Sequence, residues 1–181
     1  MSFLIKNASA VSAPGSPEST DIRISESLIT ELGQGLLPLP GHQGRVIDAS
    51  HCVVYPGWVN THHHLAQSIL KGIPEGLNQG LGDWLVSVPY RFWPAVTPEL
   101  MYLAARLGCY ELLRSGTTTC ADHHYLYHRY TSPEIEAALW QAAEDMGIRL
   151  VPCRGGTTTQ GANKGMEKSA VAETGIGLDF L

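Results

Sequence analysis

The sequence predicts an α/β fold: a parallel sheet built from βαβ units, preceded by a short all-β segment. Two amphipathic helical patterns, one following Thr97 and one following Ser132, alternate with short β-prone runs, the first of which ends in consecutive histidines. Strand, helix, strand, helix, strand is the grammar of parallel strands joined by crossover helices. Residues 1–55 show no helical period and carry brief β runs between turns.

In the all-β segment the runs are Phe3-Leu4-Ile5, Asp21-Ile22-Arg23-Ile24, Ser27-Leu28-Ile29-Thr30 and Val46-Ile47-Asp48. Pro14-Gly15-Ser16-Pro17, Gly33-Gln34-Gly35 and Pro38-Leu39-Pro40-Gly41 supply turn chemistry between them. This is the pattern of part of a small β-sandwich, too thin to hold a core alone, with His42 and His51 as solvated or structural residues. The character changes at Pro56-Gly57, where a second domain, residues 56–155, begins. Residues 65–96 form a long connection rich in Gly and Pro, broken by Leu81-Gly82-Asp83-Trp84-Leu85 and Tyr90-Arg91-Phe92-Trp93-Pro94. Loops of that length inside a compact domain serve as lids or binding loops.

The first helix opens with Thr97 as N-cap, Pro98 at the first helical position and Glu99 beside the positive end of the dipole. Met101, Ala104, Ala105, Gly108, Cys109 and Leu112 recur at the spacing of one buried face, and the helix closes on Arg114 and Gly116. Thr117-Thr118-Thr119-Cys120-Ala121-Asp122 follows as a strand ending in His123-His124. The second helix repeats the scheme, with Ser132 as cap, Ile135, Ala138, Leu139, Ala142 and Met146 on one face, and Gly147 as stop. Ile148 to Cys153 is the next strand. From residue 156 to 181 glycines break every period, and this tail reads as irregular and foreign to the fold.

Composition excludes several classes. Of 181 residues, 12 are basic and 17 acidic, a net charge of -5, with no Lys/Arg cluster, so a nucleic-acid surface is not expected. No apolar run approaches the roughly 20 residues of a membrane span, and the start is too short in apolar residues for a secretory signal. Cys52, Cys109, Cys120 and Cys153 show no C-x-x-C pairing and read as buried reduced thiols of a cytoplasmic protein.

The densest chemistry lies in Tyr55-Pro56-Gly57-Trp58-Val59-Asn60-Thr61-His62-His63-His64. On an extended backbone His62 and His64 project to one side and His63 to the other. Two imidazoles on one face at a strand end suit a borderline metal such as zinc. His63 is then a packing residue or sits behind the ligands.

Pro-Gly-Trp-Val-Asn-Thr-His-His-His at 56–64, the loop with Asp83-Trp84-Leu85, and Leu113-Arg114-Ser115-Gly116-Thr117-Thr118-Thr119 together resemble the amidohydrolase superfamily. Within it the chain is most similar to aminohydrolases of the cytosine, guanine, 8-oxoguanine and pterin deaminase type, over about residues 1–155. The resemblance implies a (β/α)8 TIM-type barrel flanked by a small β-sandwich, of which this chain supplies about strands 1–3, placed at 57–62, 117–122 and 148–153. It implies one divalent metal, zinc or iron, with His62 and His64 as two of its ligands. The family's further ligands, a histidine after strand five, another after strand six and an aspartate after strand eight, have no counterpart, since no histidine follows His128. The expected identity is therefore the N-terminal part of a homo-oligomeric hydrolase that deaminates an oxidised purine or pterin by metal-activated hydroxide. Gln67 is expected to hydrogen-bond the heterocycle. Trp84 serves as a flat wall for it or as a loop anchor. One of His123 and His124 faces the centre, taken as His123, within reach of an exocyclic oxygen. Two alternatives stand beside this: a truncated product without catalysis of its own, and a triazine-type chlorohydrolase.

Overall fold

The structure is a computed structural model and describes residues 2–12, 20–39, 44–127 and 131–155. It divides into two compact units, with the boundary between Pro56 and Gly57.

In the first unit, β1 (Ser2–Ala8) is followed by the two-residue β2 (Ala10–Val11), β3 (Thr20–Ser25), β4 (Leu28–Gly33), β5 (Arg45–Asp48) and β6 (Val53–Val54). The order β4-β3-β1-β5 makes one four-stranded sheet, antiparallel except for the parallel β1–β5 pair, and β2 pairs with β6 in a separate parallel ladder. Glu26 and Ser27, both at positive φ, form the two-residue turn whose twist suits the β3–β4 hairpin. Asp21 is buried on this sheet. Burial pushes its carboxyl up, but Lys6 Nζ at 2.6 Å and the N–H groups of Asn7 and Leu36 at 2.7 and 2.9 Å outweigh that and hold it below the ordinary carboxylate range. His51 lies at φ 68 in an exposed turn, and His42 lies outside the described residues. Cys52 is exposed and Cys153 half-buried, so only Cys109 and Cys120 are the buried thiols expected.

The second unit is built on a three-stranded parallel sheet, β7 (Trp58–His63), β8 (Thr117–His124) and β9 (Arg149–Arg154), in sequential order. The connection from β7 to β8 is not an open loop. It folds into 3-10 turns at Leu65–Leu70, Pro74–Gly76 and Trp93–Ala95 and two short helices, α1 (Leu81–Ser87) and α2 (Pro89–Phe92), before α3 (Pro98–Arg114). Thr97 caps α3 by accepting from the Leu100 N–H at 3.2 Å, and the residues it buries are Met101, Ala104, Ala105, Gly108, Cys109 and Leu112. Gly116, at φ 87, turns the chain into β8. The second crossover, α4 (Glu134–Met146), starts later than the Ser132 cap implies. Its N-cap position is Pro133, and the Ser132 hydroxyl accepts from Glu134 N–H in the preceding turn instead. Ala143 joins Ile135, Leu139 and Ala142 on its buried face, and Ala138 and Met146 are half-buried at its margin. These helices close one core with Leu65, Cys120, Leu126 and Ile148. Among the described residues no helix is long and apolar enough to cross a membrane.

Gly57 fixes how β7 meets β8. A Cβ there would lie 2.2 Å from Thr118 Oγ1, 2.3 Å from its Cγ2 and 2.8 Å from its Cβ. Thr118 cannot swing away freely, because its hydroxyl accepts from Arg149 Nη2 at 3.0 Å. Gly57→Ala is expected to destabilise the chain by about 1–3 kcal/mol, the range for an overpacked contact. An unshifted urea midpoint would refute this.

Candidate functional site

Three devices set the histidines at the end of β7. The Asn60 side chain accepts from the His62 N–H at 2.9 Å, which fixes the strand end locally. The pairing with β8 slips between Asn60 and His63: Asn60 faces Cys120 and His63 faces Asp122, so β7 carries one extra residue there. Such a bulge re-aims the side chains beside it. Finally, His64 leaves the strand and the Leu65–Leu70 turn begins at once.

His62 and His64 come together with ring centres 5.1 Å apart and planes at 84°. Two imidazoles on one tetrahedral zinc, each with a Zn–N bond of about 2.0–2.1 Å, hold their ring centres about 5 Å apart. The donor pair therefore fits such a metal as two of its ligands. His64 Nδ1 lies 2.9 Å from the carbonyl oxygen of His123. A carbonyl only accepts, so Nδ1 carries the proton and Nε2 keeps its lone pair, the arrangement that prepares a histidine for a metal. Among the described residues no group of three or more His, Cys, Asp or Glu could hold a metal ion.

His63 turns away into a half-buried position near Gly108. Burial holds its imidazole below the ordinary range, and the positive charge of Lys71 acts in the same direction. His123 lies beside His62, ring centres 5.0 Å apart and planes only 29° from parallel. Its Nε2, 3.2 Å from the Thr61 carbonyl, acts as donor. A stacked ring is poorly placed to share an in-plane metal with His62, so His123 is a neighbour of the pair rather than a third ligand.

The pair opens onto a cavity of about 480 Å³ lined by His62, His63, His64, Gln67, Ser68, Leu70, Lys71, Ile73, Leu77 and Trp84, among others. Gln67 and Trp84 thus share this cavity with the histidines, whereas His123 is not among its lining residues. Trp84 packs closely against the Pro74–Gly76 turn: a Cβ on Gly76 would lie 2.8 Å from its Cδ1. The same indole is both cavity wall and loop anchor.

The sequence reading passed over Asp122 and set His124 aside in favour of His123. On β8, Cys120, Asp122 and His124 alternate onto a buried face, with exposures of 0, 0 and 1 %. Asp122 Oδ1 accepts from the Leu65 N–H at 2.6 Å, directly after His64. Its Oδ2 lies 3.7 Å from His124 Nδ1, and neither atom has a hydrogen-bond partner among the described residues. The alternation of the strand was the available signal. A carboxylate is placed on the exposed face by default, and that default failed here.

Burial pushes the Asp122 carboxyl up to about 6, against the pull of the Leu65 N–H and of His123. Burial also pushes the His124 imidazole down to about 4, helped by Arg154 and opposed by Glu136. The two groups act oppositely on stability. Between pH 4 and 6 the native Asp122 keeps a proton that the unfolded chain has released, so its contribution is lost as pH rises. His124 stays neutral in the native state where the unfolded chain takes up a proton, so its contribution is lost as pH falls from 6.5 towards 4. Each displacement is worth roughly 3 kcal/mol at about 1.4 kcal/mol per pH unit, and they offset each other in the shared window. Asp122→Asn is therefore expected to become more stable from pH 4.5 to 6.5, and His124→Gln less stable. Urea melts at both pH values check this, and parallel behaviour of the two variants would refute it.

The chain resembles known proteins along most of its length. Residues 53–175 match the family model described as Amidohydrolase family. The chain is 44% identical over 165 residues to an isoxanthopterin deaminase from an unknown prokaryotic organism, covering 87% of this chain and 34% of that protein. It is 37% identical over 153 residues to 8-oxoguanine deaminase of Pseudomonas aeruginosa, covering 83% and 33%. Among solved structures, atrazine chlorohydrolase TrzN from Arthrobacter aurescens TC1, complexed with zinc, superposes with a TM-score of 0.78 at 26% identity, covering 93% of this chain and 40% of that one. An amidohydrolase from an environmental sample of the Sargasso Sea superposes with a TM-score of 0.66 at 38% identity, covering 88% and 35%. The chain thus spans about a third of the length of the curated relatives it matches.

Proposed function

Because the chain belongs to the amidohydrolase family, we propose that it carries the first part of a metal-dependent aminohydrolase site acting on an oxidised purine or pterin ring. The observation that carries this is the His62–His64 pair, spaced for one metal and opening onto a cavity with Gln67 and Trp84. Its strand order suits the opening strands of a (β/α)8 barrel, whose active sites gather at the C-terminal ends of the strands. His62 and His64 would hold the metal, zinc in the first instance. When bound, such an ion lowers the pKa of water to about 7 and so makes hydroxide available for attack on an electron-poor ring carbon at neutral pH.

The chain's own residues do the rest of what is present. Trp84 stacks on one face of the heterocycle. The Gln67 amide, able both to donate and to accept, pairs with a lactam edge. His123 supports the turn of chain that carries His62, through the bond from its Nε2 to the Thr61 carbonyl. The percentages of identity favour pterin and oxopurine deaminases over the triazine hydrolases, at 44% and 37% against 26%. The chlorohydrolase reading rests on the TM-score of 0.78 alone. A chimera in which residues 1–155 replace the matched segment of the isoxanthopterin deaminase tests the choice. It is expected to release ammonia from isoxanthopterin or 8-oxoguanine. A chimera that folds and loads zinc yet acts on neither sinks the substrate reading.

A second reading concerns the 181-residue chain by itself: that it has no catalysis of its own. It is favoured by the lack, among the described residues, of any third group to complete the metal pair. Ammonia release by the zinc-loaded chain would overturn it.

A further inference from the structure

Three hydrogen bonds tie residues 61–65 to the end of β8. His123 donates from Nε2 to the Thr61 carbonyl at 3.2 Å, His64 donates from Nδ1 to the His123 carbonyl at 2.9 Å, and the Leu65 N–H donates to Asp122 Oδ1 at 2.6 Å. The third is the shortest and involves the carboxyl group of a fully buried residue. It also meets a specific need. The Leu65–Leu70 turn starts with no side-chain cap from His64, which leaves its first N–H groups without a local acceptor. Asp122 supplies that acceptor from 57 residues away. If packing were the sole demand, an apolar side chain would serve at lower cost, as the thiol of Cys120 does on the same face.

We propose that Asp122 is a positioning residue for the His62–His64 pair. Its carboxylate holds the backbone that follows His64, which keeps the His64 ring in register with the His123 carbonyl and leaves Nε2 free. The second carboxylate oxygen lies 3.7 Å from His124 Nδ1. The metal side of this inference rests on reading His64 as a ligand, but the effect on the His64 ring does not.

Two readouts on the 181-residue chain separate those levels. Long-range 1H–15N correlation reports which His64 nitrogen carries the proton, and a cobalt(II) titration followed by visible absorption reports the site. Asp122→Asn keeps an oxygen for the Leu65 N–H and is expected to keep the Nδ1–H form, with cobalt affinity within about 3-fold of the parent. Asp122→Leu fills the space without an acceptor. It is expected to give a mixture of His64 tautomers and about 10- to 100-fold weaker cobalt binding, the range for loss of a group that orients a ligand. An Asp122→Leu chain with an unchanged His64 tautomer overturns the proposal. So does an Asp122→Asn chain that is folded by circular dichroism yet loses the Nδ1–H form. A parent chain that gives no cobalt spectrum defeats the metal reading while the tautomer comparison still decides the role of Asp122.

Discussion

Replacing His64 with alanine is expected to weaken zinc or cobalt binding by at least about 100-fold. Loss of a group that merely orients a metal ligand already costs about 10- to 100-fold, and here one of two donors disappears. His62→Ala should match it, because the 5.1 Å spacing makes the two rings equivalent halves of one donor pair. His63→Ala is the control set by the structure itself. That ring lies off to the side, against α3, and its removal should change affinity by less than about 3-fold. If His63→Ala proves as damaging as His64→Ala, the pair has been misassigned. Equilibrium dialysis against zinc at neutral pH reads all three.

How legible this site was in the sequence depended on the kind of order involved. The direction of His62 and His64 follows from the two-residue period of a strand. The bulge between Asn60 and His63 and the end of the strand at His63, which also shape how the two rings meet, left no such mark in the sequence. The face of α3 was equally legible, because six small or apolar residues recur at helical spacing and Thr97-Pro98-Glu99 marks the start. Residues 65–96 were not. Gly and Pro punctuate them so often that no window shows a period, although Leu81–Ser87 and Pro89–Phe92 are helical. Those short helices exist through contact with the 3-10 turns beside them, where Gly76 admits Trp84, and tertiary contact leaves no trace in local composition. The same holds for β2 and β6, two residues each, whose pairing is a long-range fact. Asp122 is the instructive miss. Its residue type argues for solvent, and only the register of β8 against β7 turns it to the Leu65 N–H.

Leu65→Ala is expected to cost about 2–5 kcal/mol, the range for truncating a large side chain in a packed core. Leu65 is 0 % exposed and belongs to the cluster with Met101, Cys109 and Leu139. It is also the residue whose N–H meets Asp122, so the cavity opens directly beneath the segment that presents His64. The structure offers a way to show that the cost is one of packing. A Cβ on Gly108 would lie 2.6 Å from Leu65 Cδ2 and 2.5 Å from Ser68 Oγ. Gly108→Ala alone therefore sets an overpacking penalty of about 1–3 kcal/mol against a gain of roughly 1 kcal/mol in helix propensity, and the net effect is destabilising. With Leu65 already cut back, the first of those clashes disappears and the new methyl partly fills the cavity. The double variant should then be more stable than the sum of the single effects by about 0.5–3 kcal/mol, the coupling seen for residues in contact. Additive behaviour in urea melts would mean that the Leu65–Leu70 turn yields independently of α3.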